Sequence, residues 1–299
     1  MERRENEMET SRCRAFITAA EEGSLTAAAD KLGYTPSGVS QLVSALEDDI
    51  GLKLLERAKK GVTLTEEGER MLPVIRRFLG SESDVYEMAS DIKGLNVGDV
   101  TLASFPSIAT FWLPEVIGKF QTEYPGIRIR IMEGITQEID EWLEEGTADL
   151  GFMAYIEPML HDWIPLGEDR MVAVFSKDHP LAKRKSYPLM RCAEEDFIMP
   201  ALGHDLDVEK LLKENDIVPN IKFTTMENPV LLSMINNGLG MSIMNELCTT
   251  LWKDKLAIMP LDPPESVTFG IASARGRHMS PAAEKFLEFA VKMLTREEK

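Results

Sequence analysis

Ser37, Ser40, Gln41 and Ser44 fall within one uncharged stretch, Thr35–Leu46, and the basic residues Arg57, Lys59 and Lys60 follow shortly after. On a helix, at about 100° per residue, Ser37, Gln41, Ser44 and Asp48 face away from the apolar Val39, Val43, Leu46 and Ile50. Such a face offers short hydrogen-bonding groups, and a glutamine amide can pair bidentately with adenine. Guanidinium and ammonium groups hold phosphates and supply affinity, whereas base contacts supply selection. The chemistry these residues fit is noncovalent. Ser37, Ser40, Gln41 and Ser44 would meet base edges of double-stranded DNA, with Arg57, Lys59 and Lys60 on its backbone.

Covalent chemistry finds little support. Gly238-Leu239-Gly240-Met241-Ser242-Ile243 lacks the third glycine of a dinucleotide fingerprint. There is no Gly-x-x-x-x-Gly-Lys phosphate loop and no Gly-x-Ser-x-Gly elbow. His and Cys spacings do not fit a metal site. Glu144-Glu145 and Glu194-Glu195-Asp196 read as acids on solvated faces. No catalytic residue, metal or cofactor is expected. The three cysteines, Cys13, Cys192 and Cys248, are odd in number and far apart, which fits a reducing compartment. Cys13 shares a stripe with Phe16, Ile17 and Ala20 and reads as a buried small hydrophobe. Redox sensing by Cys192 with Cys248 is the minor reading.

The elements that position the polar face are two short amphipathic helices in residues 16–47. Leu25, Ala28, Ala29 and Leu32 make one helical stripe, with Ser24 as N-cap and Gly33 at the exit. Thr35 caps the second helix, and Pro36 takes its first position, where a missing N–H costs nothing. The small alanines let the two axes approach closely. A helix–turn–helix with a polar second helix is the geometry that enters a major groove, although a small helical bundle can contain such a pair too. Leu54-Leu55, then Arg57, Lys59, Lys60 and Gly61, then Val62-Thr63-Leu64 resemble a short wing.

Phe16, Ala20-Glu21-Glu22-Gly23-Ser24, Ala28-Ala29, Leu32, Ser40, Leu46-Glu47, Gly51, Leu54, Glu56-Arg57 and Leu64-Thr65-Glu66-Glu67-Gly68 form a long ordered set. On these residues the chain resembles the LysR-type transcriptional regulators. The resemblance implies an α/β protein with three parts: an N-terminal winged helix-turn-helix (1–64), a long linker helix (65–93) that pairs two heads, and a C-terminal effector domain (94–299). It further implies a homodimer assembling to a homotetramer, promoter DNA and RNA polymerase as partners, and a small-molecule effector.

Charge complicates this picture. The chain carries −17 overall, and residues 1–64 hold nine Lys/Arg against eleven Asp/Glu. The head is less acidic than the rest but not basic, unlike a typical DNA-binding module. Arg12, Arg14, Lys31 and Lys53 lie at the margins of the recognition segment and could add phosphate contacts. With so few, one copy should bind weakly, and affinity must come from several copies on one DNA. The N-terminus, MERRENEMETSR, lacks an apolar signal core, so a cytoplasmic location is expected, and no run is long enough for a membrane span.

Thr65 reads as the cap of the next helix. Met71, Ile75, Phe78, Val85, Ala89 and Ile92 alternate at fours and threes along it, the seam of a two-helix coiled pairing. Glu82 interrupts this seam, Gly80-Ser81 weakens its middle and Pro73 its first turns. A single amphipathic helix packed on its own domain is the other reading.

From residue 99 strands and helices alternate. Ile127-Arg128-Ile129-Arg130-Ile131 predicts a strand with one buried face. Leu150–Met153, Met171–Phe175, Phe197–Met199, Ile221–Met226, Met241–Met244, Leu256–Met259 and Val267–Ser273 read as further strands. Successive βαβ units imply a mostly parallel sheet covered by helices. Pro229–Asn237 predicts a helix capped by Asn228, and Ser280-Pro281 opens a final one. His161 and His179 are expected on surface loops. GITQEIDEWLEEGTADLGF (134–152), DHPLA (178–182) and NNGLGMSIMNEL (236–247) resemble the periplasmic-binding-protein-like, two-subdomain effector domain of the same family. The departure is Asn245, where a proline is usual. On that resemblance subdomain I is about 99–156 plus 274–299, and subdomain II about 157–273.

Ligands of such sheets sit outside the carboxyl ends of strands, between the units. The strand-end candidates are Ser104 and Ser107 after the first strand, Thr136 and Gln137 opening a helix, Pro200–His204 after a later strand, and Asn228. The resemblance places Ser104, Ser107, Thr136 and the segment around Pro200 in the effector pocket, although each such residue alone can be an ordinary cap. Helix starts and mostly uncharged candidates point to a small carboxylate as effector. The competing readings are an α/β enzyme fused to a DNA-binding head, which lacks a nucleophile–base set, and a solute-binding protein, which would need export.

Overall fold

The helix starts written into the head are realised as hydrogen bonds. A computed structural model describes residues 9–58, 61–93, 96–203 and 205–295. Helix α1 (Thr10–Glu22) leads into α2 (Leu25–Leu32), where the Ser24 hydroxyl accepts the Ala27 amide. Thr35 Oγ1 accepts the Gly38 amide at 3.1 Å and starts α3 (Pro36–Ile50). Gly33 and Gly51 leave the two helices in the left-handed region. Strands β1 (Leu55–Ala58) and β2 (Gly61–Leu64) pair antiparallel as the wing. Phe16, Ala28, Ala29, Val39, Val43, Leu46, Leu54 and Ile75 close one core, and Cys13 lies fully buried in it, as its stripe predicts.

Helix α4 (Glu66–Ile92) runs unbroken through Pro73, with Thr65 Oγ1 accepting the Gly68 amide at 2.9 Å. Its two halves differ. Met71, Leu72, Ile75 and Leu79 pack on the core of the head, whereas Val85 and Ile92 are 67% and 80% exposed. Glu82, the charged intruder in the seam, pairs with Arg14 at 2.8 Å. No helix among the described residues is long and apolar enough to cross a membrane.

Two compact units result, one of the residues up to Gly98 with Glu144–Thr147 and one of Asp99–Leu143 with the residues from Ala148 on. The second contains most of β3 (Val97–Ser104), α5 (Pro106–Phe111), α6 (Leu113–Glu123), β4 (Gly126–Glu133), most of α7 (Thr136–Glu145) and β5 (Leu150–Ala154). Next come β6 (Asp162–Ser176), β7 (Tyr187–Pro188), β8 (Asp196–Met199), α8 (Leu206–Glu214) and β9 (Asn220–Thr224). The chain finishes with α9 (Asn228–Asn236), β10 (Ser242–Asn245), β11 (Leu256–Asp262), β12 (Ser266–Ser273) and α10 (Pro281–Leu294).

The sheet is mixed rather than mostly parallel. Parallel pairing joins β3 to β5 and β11 to β7 in it, and β8 to β9 in a separate two-stranded sheet. The pairs β12–β5, β12–β6, β11–β6 and β10–β6 are antiparallel. The reason is β6. It is 15 residues long, three times the apolar run Met171–Phe175, and it belongs to both halves of the unit. Its first part pairs with β12 and its last with β10 and β11. Helices cover both faces. Phe120 of α6 and Phe286 of α10 meet at 5.0 Å on one side, and Ile139 and Leu143 of α7 pack on Ala103, Met153 and Ala272 on the other. Strand β4 is an edge, so of its three isoleucines only Ile127 is buried and Ile131 is exposed.

Both histidines stand in connecting segments, as expected, but only His179 keeps partial exposure. His161 is buried with Nε2 2.9 Å from Asp140. His179 stacks on Phe175 at 4.8 Å and reaches Glu195 at 3.3 Å.

Candidate nucleic-acid interface and ligand cleft

Ser37, Gln41 and Ser44 are exposed on α3 and Ser40 is half-buried, opposite the buried Val39, Val43 and Leu46. Ser37, Ser40 and Gln41 line a groove of about 630 Å³ together with Ser24–Thr26 at the start of α2 and Gly61 and Val62 of the wing. Ser44 lies beyond this groove. The Ser37 hydroxyl is 3.1 Å from Thr35 Oγ1. The wing is tied to the helices by the Val62 amide on Gly23 O at 2.9 Å. Gly61 has φ 145°, and a Cβ there would lie 2.0 Å from Gly23 O, so only glycine fits this approach.

Lys59 and Lys60 lie outside the described residues, as does the Arg57 side chain. The other marginal cations are committed to carboxylates. Arg12 pairs with Asp49 and Glu9, Arg14 with Glu82, Lys31 with Glu22 and Lys53 with Glu47. They are not the open phosphate clamps their positions suggest, because the head carries more acids than bases.

In the second unit a cleft runs between the two halves. Its larger lobe encloses about 440 Å³ and its smaller about 90 Å³, and both share Ser107, Gly134, Ile135, Met226, Asn228 and Cys248. Thr136 and Pro200 line the smaller lobe. Ser104 does not reach the cleft. It is fully buried, its hydroxyl donates to Phe105 O at 2.9 Å, and its carbonyl accepts the Gly134 amide at 3.1 Å. It therefore joins two cleft-forming turns from beneath. Gln137 is exposed and turned along α7, donating to Glu141 at 3.2 Å, because the second residue of that helix faces away from the lobe. His204 lies outside the described residues. Asn228 is the first residue of α9 rather than its cap, which is Glu227. That leaves its side chain able to donate to Cys248 Sγ at 3.4 Å.

Sequence reasoning missed Cys248, Asp205, Asp207 and the aromatic wall of Phe111 and Trp252. Asp205 carries the one available signal, as the cap that accepts the Val208 amide and starts α8. The wall of the smaller lobe includes Ala201 in left-handed backbone, φ 46°, a strained conformation that clusters at ligand clamps. Burial pushes both the Cys192 and Cys248 thiols up to about 12, far from a reactive thiolate. Glu133, Glu138 and Glu227 line the larger lobe and Asp205 and Asp207 the smaller, with no Lys or Arg among the described lining residues. Ionised carboxylates on that lining would repel an anion.

Residues 93–295 match the LysR substrate binding domain family, and residues 10–69 match the bacterial regulatory helix-turn-helix proteins of the lysR family. The chain is 30% identical to the HTH-type transcriptional regulator YybE of Bacillus subtilis over 95% of its own length and 98% of that protein's. It is 28% identical to the HTH-type transcriptional activator CmpR of Synechocystis over 92% of each. Among solved structures, a full-length OxyR variant from Pseudomonas aeruginosa has the same fold, with a TM-score of 0.76 at 20% identity over 96% of this chain and 95% of that one. Full-length BenM aligns with a TM-score of 0.60 at 25% identity over 97% and 98%. The chain therefore belongs to the LysR family: it is a DNA-binding transcriptional regulator with an N-terminal winged helix-turn-helix and a C-terminal effector-binding domain.

Proposed function

We propose that Ser37, Ser40, Gln41 and Ser44 read base edges in the major groove while Arg57, Lys59 and Lys60 hold the backbone, and that Ser107, Thr136, Pro200 and Asn228 contact a small-molecule effector. The observation that carries the first part is the shared groove of Ser37, Ser40 and Gln41 with the wing residues Gly61 and Val62. For the second it is the continuity of the two lobes through Ser107 and Asn228. The protein acts in the cytoplasm as a regulator and not as a catalyst.

Two copies pair along the exposed half of α4, and two such dimers form a tetramer that works with RNA polymerase at promoters. An effector between the halves shifts their relative orientation about β6, the strand they share. In the assembly this alters the spacing or bend imposed on two DNA half-sites. DNase footprinting of the DNA beside the protein's own gene tests the reading. The expected result is two protected half-sites about one helical turn apart, changed in spacing or extent by cleft ligands. No protection at low ionic strength would defeat it.

A further inference from the structure

The cleft has an electrostatic character that its sequence concealed, and the ligand chemistry this character implies depends on the reading of the cleft as the effector site. Of the five carboxyl groups on its lining, two are already engaged: Glu138 Oε2 accepts the Ile135 amide at 3.0 Å, and Asp205 Oδ1 accepts the Val208 amide at 3.1 Å. The Asp207 carboxyl accepts no hydrogen bond among the described residues, yet it lines the smaller lobe. Burial and the neighbouring Asp205 push it up to about 7, with Lys210 of the same helix acting the other way. Lys255 Nζ lies over the Trp252 ring, 5.1 Å from its centre, but does not line the cleft.

We infer that the cleft takes a small organic amine with an apolar body, its ammonium set against Asp207 and its body along Phe111, Leu232 and Trp252. An ammonium there gains a charge-assisted hydrogen bond from an acceptor that has none. A carboxylate of the same size would force Asp207 to stay protonated and still face Glu133 and Glu227. The amine instead favours the ionised carboxylate, so its binding releases a proton and tightens as pH rises through about 7.

The test uses the full chain and two probes of one size, phenethylamine and phenylacetate, with thermal unfolding and proton release read on both sides of pH 7. Phenethylamine is expected to raise the midpoint of the wild type, and more so at the higher pH. Asp207→Asn, which keeps shape, should weaken it about tenfold or more and flatten its pH dependence. Ser107→Trp fills the region both lobes share and should abolish the shift. If phenylacetate alone stabilises the wild type and loses its effect in Ser107→Trp, the cleft remains the effector site and the amine inference falls. Amine binding that survives Ser107→Trp overturns the cleft assignment itself. Unchanged amine binding in Asp207→Asn, or no shift with either probe, also overturns the inference.

Discussion

Glu47, on the last turn of α3, accepts the backbone amide of Leu54 at 2.9 Å, across the turn that leads into the wing. The same oxygen accepts the Leu55 amide at 3.1 Å, and the other accepts Lys53 Nζ at 2.5 Å. One nearly buried carboxylate thus ties the end of α3 to the start of β1, and through it to the wing. Burial opposes its ionisation, but the Lys53 ammonium and the two amides outweigh burial and hold its pKa below the ordinary value.

Removing that charge should loosen the head. Glu47→Gln can keep both amides on its one oxygen but sets an NH2 donor against the Lys53 ammonium, and the loss of that charge-assisted bond is expected to cost about 1–3 kcal/mol of folding stability near neutral pH. The sign with pH follows from the lowered pKa. The stabilisation is complete above the ordinary carboxyl value of 4.5 and is lost as pH falls through the lower folded value. Urea unfolding of wild type and variant should therefore converge in strong acid. A gap that stays constant with pH would show that the carboxylate charge is not what holds the wing.

Gln41 and the wing lysines should separate selection from affinity. Gln41→Ala is expected to relax sequence preference at one position of each half-site, by about 1–3 kcal/mol of discrimination. Lys59→Ala with Lys60→Ala should weaken all duplexes alike and flatten the salt dependence of binding. The four other marginal cations are occupied by carboxylates, so the wing's share of the salt slope should be large. Binding titrations on specific and random duplexes at several salt concentrations read both effects. An unchanged preferred sequence in Gln41→Ala would place the recognition surface elsewhere.

The head was legible in the sequence because its signals are local. Ser24, Thr35, Pro36, Gly33 and Gly51 each act within a turn of where they stand, and all do what their types predict. The second unit was legible in its elements but not in their directions. An apolar run such as Met171–Phe175 announces a buried strand, but nothing in it says which way its neighbours run. The polar first half of β6, with Pro165 and Gly167 in it, gave no strand signal at all. The cleft followed the same division. Ser107 and Thr136 stand at helix starts and could be found. Cys248 lies in a short 3-10 segment whose position depends on β10, and Asp207 reads as an ordinary first-turn acid. His161 was misread because its partner, Asp140, is distant in sequence.

The exposed half of α4 should report on pairing. Phe78, Val85 and Ile92 continue the stripe that Met71 and Ile75 begin, yet they lie open to solvent while the first two pack on the head. Val85→Glu puts a second charge beside Glu82 on that stripe and should shift the association equilibrium by at least about tenfold, at a cost of under 1 kcal/mol to the folded monomer. Sedimentation should show smaller species, with DNA affinity reduced in parallel. Unchanged sedimentation would assign pairing to another surface.

Asp169 gives a pH prediction of opposite sign. It lies on β6 next to the residue where that strand passes from β12 to β10 and β11, and one oxygen accepts the Leu247 amide at 3.1 Å. Burial raises its carboxyl to about 6, with Glu246 pushing the same way and the Leu247 and Arg170 amides opposing. A raised acid favours the folded state only while protonated. Its contribution is complete below the ordinary value of 3.8 and is lost as pH rises through about 6. Asparagine keeps the acceptor for Leu247 and removes the charge. Asp169→Asn should therefore stabilise the protein at pH 7 by about 1–2 kcal/mol and remove part of the decline in stability between pH 4 and 6. Thermal unfolding across that range checks it. A variant less stable than wild type at pH 7 would mean that the ionised carboxylate is needed where the two halves of the unit meet.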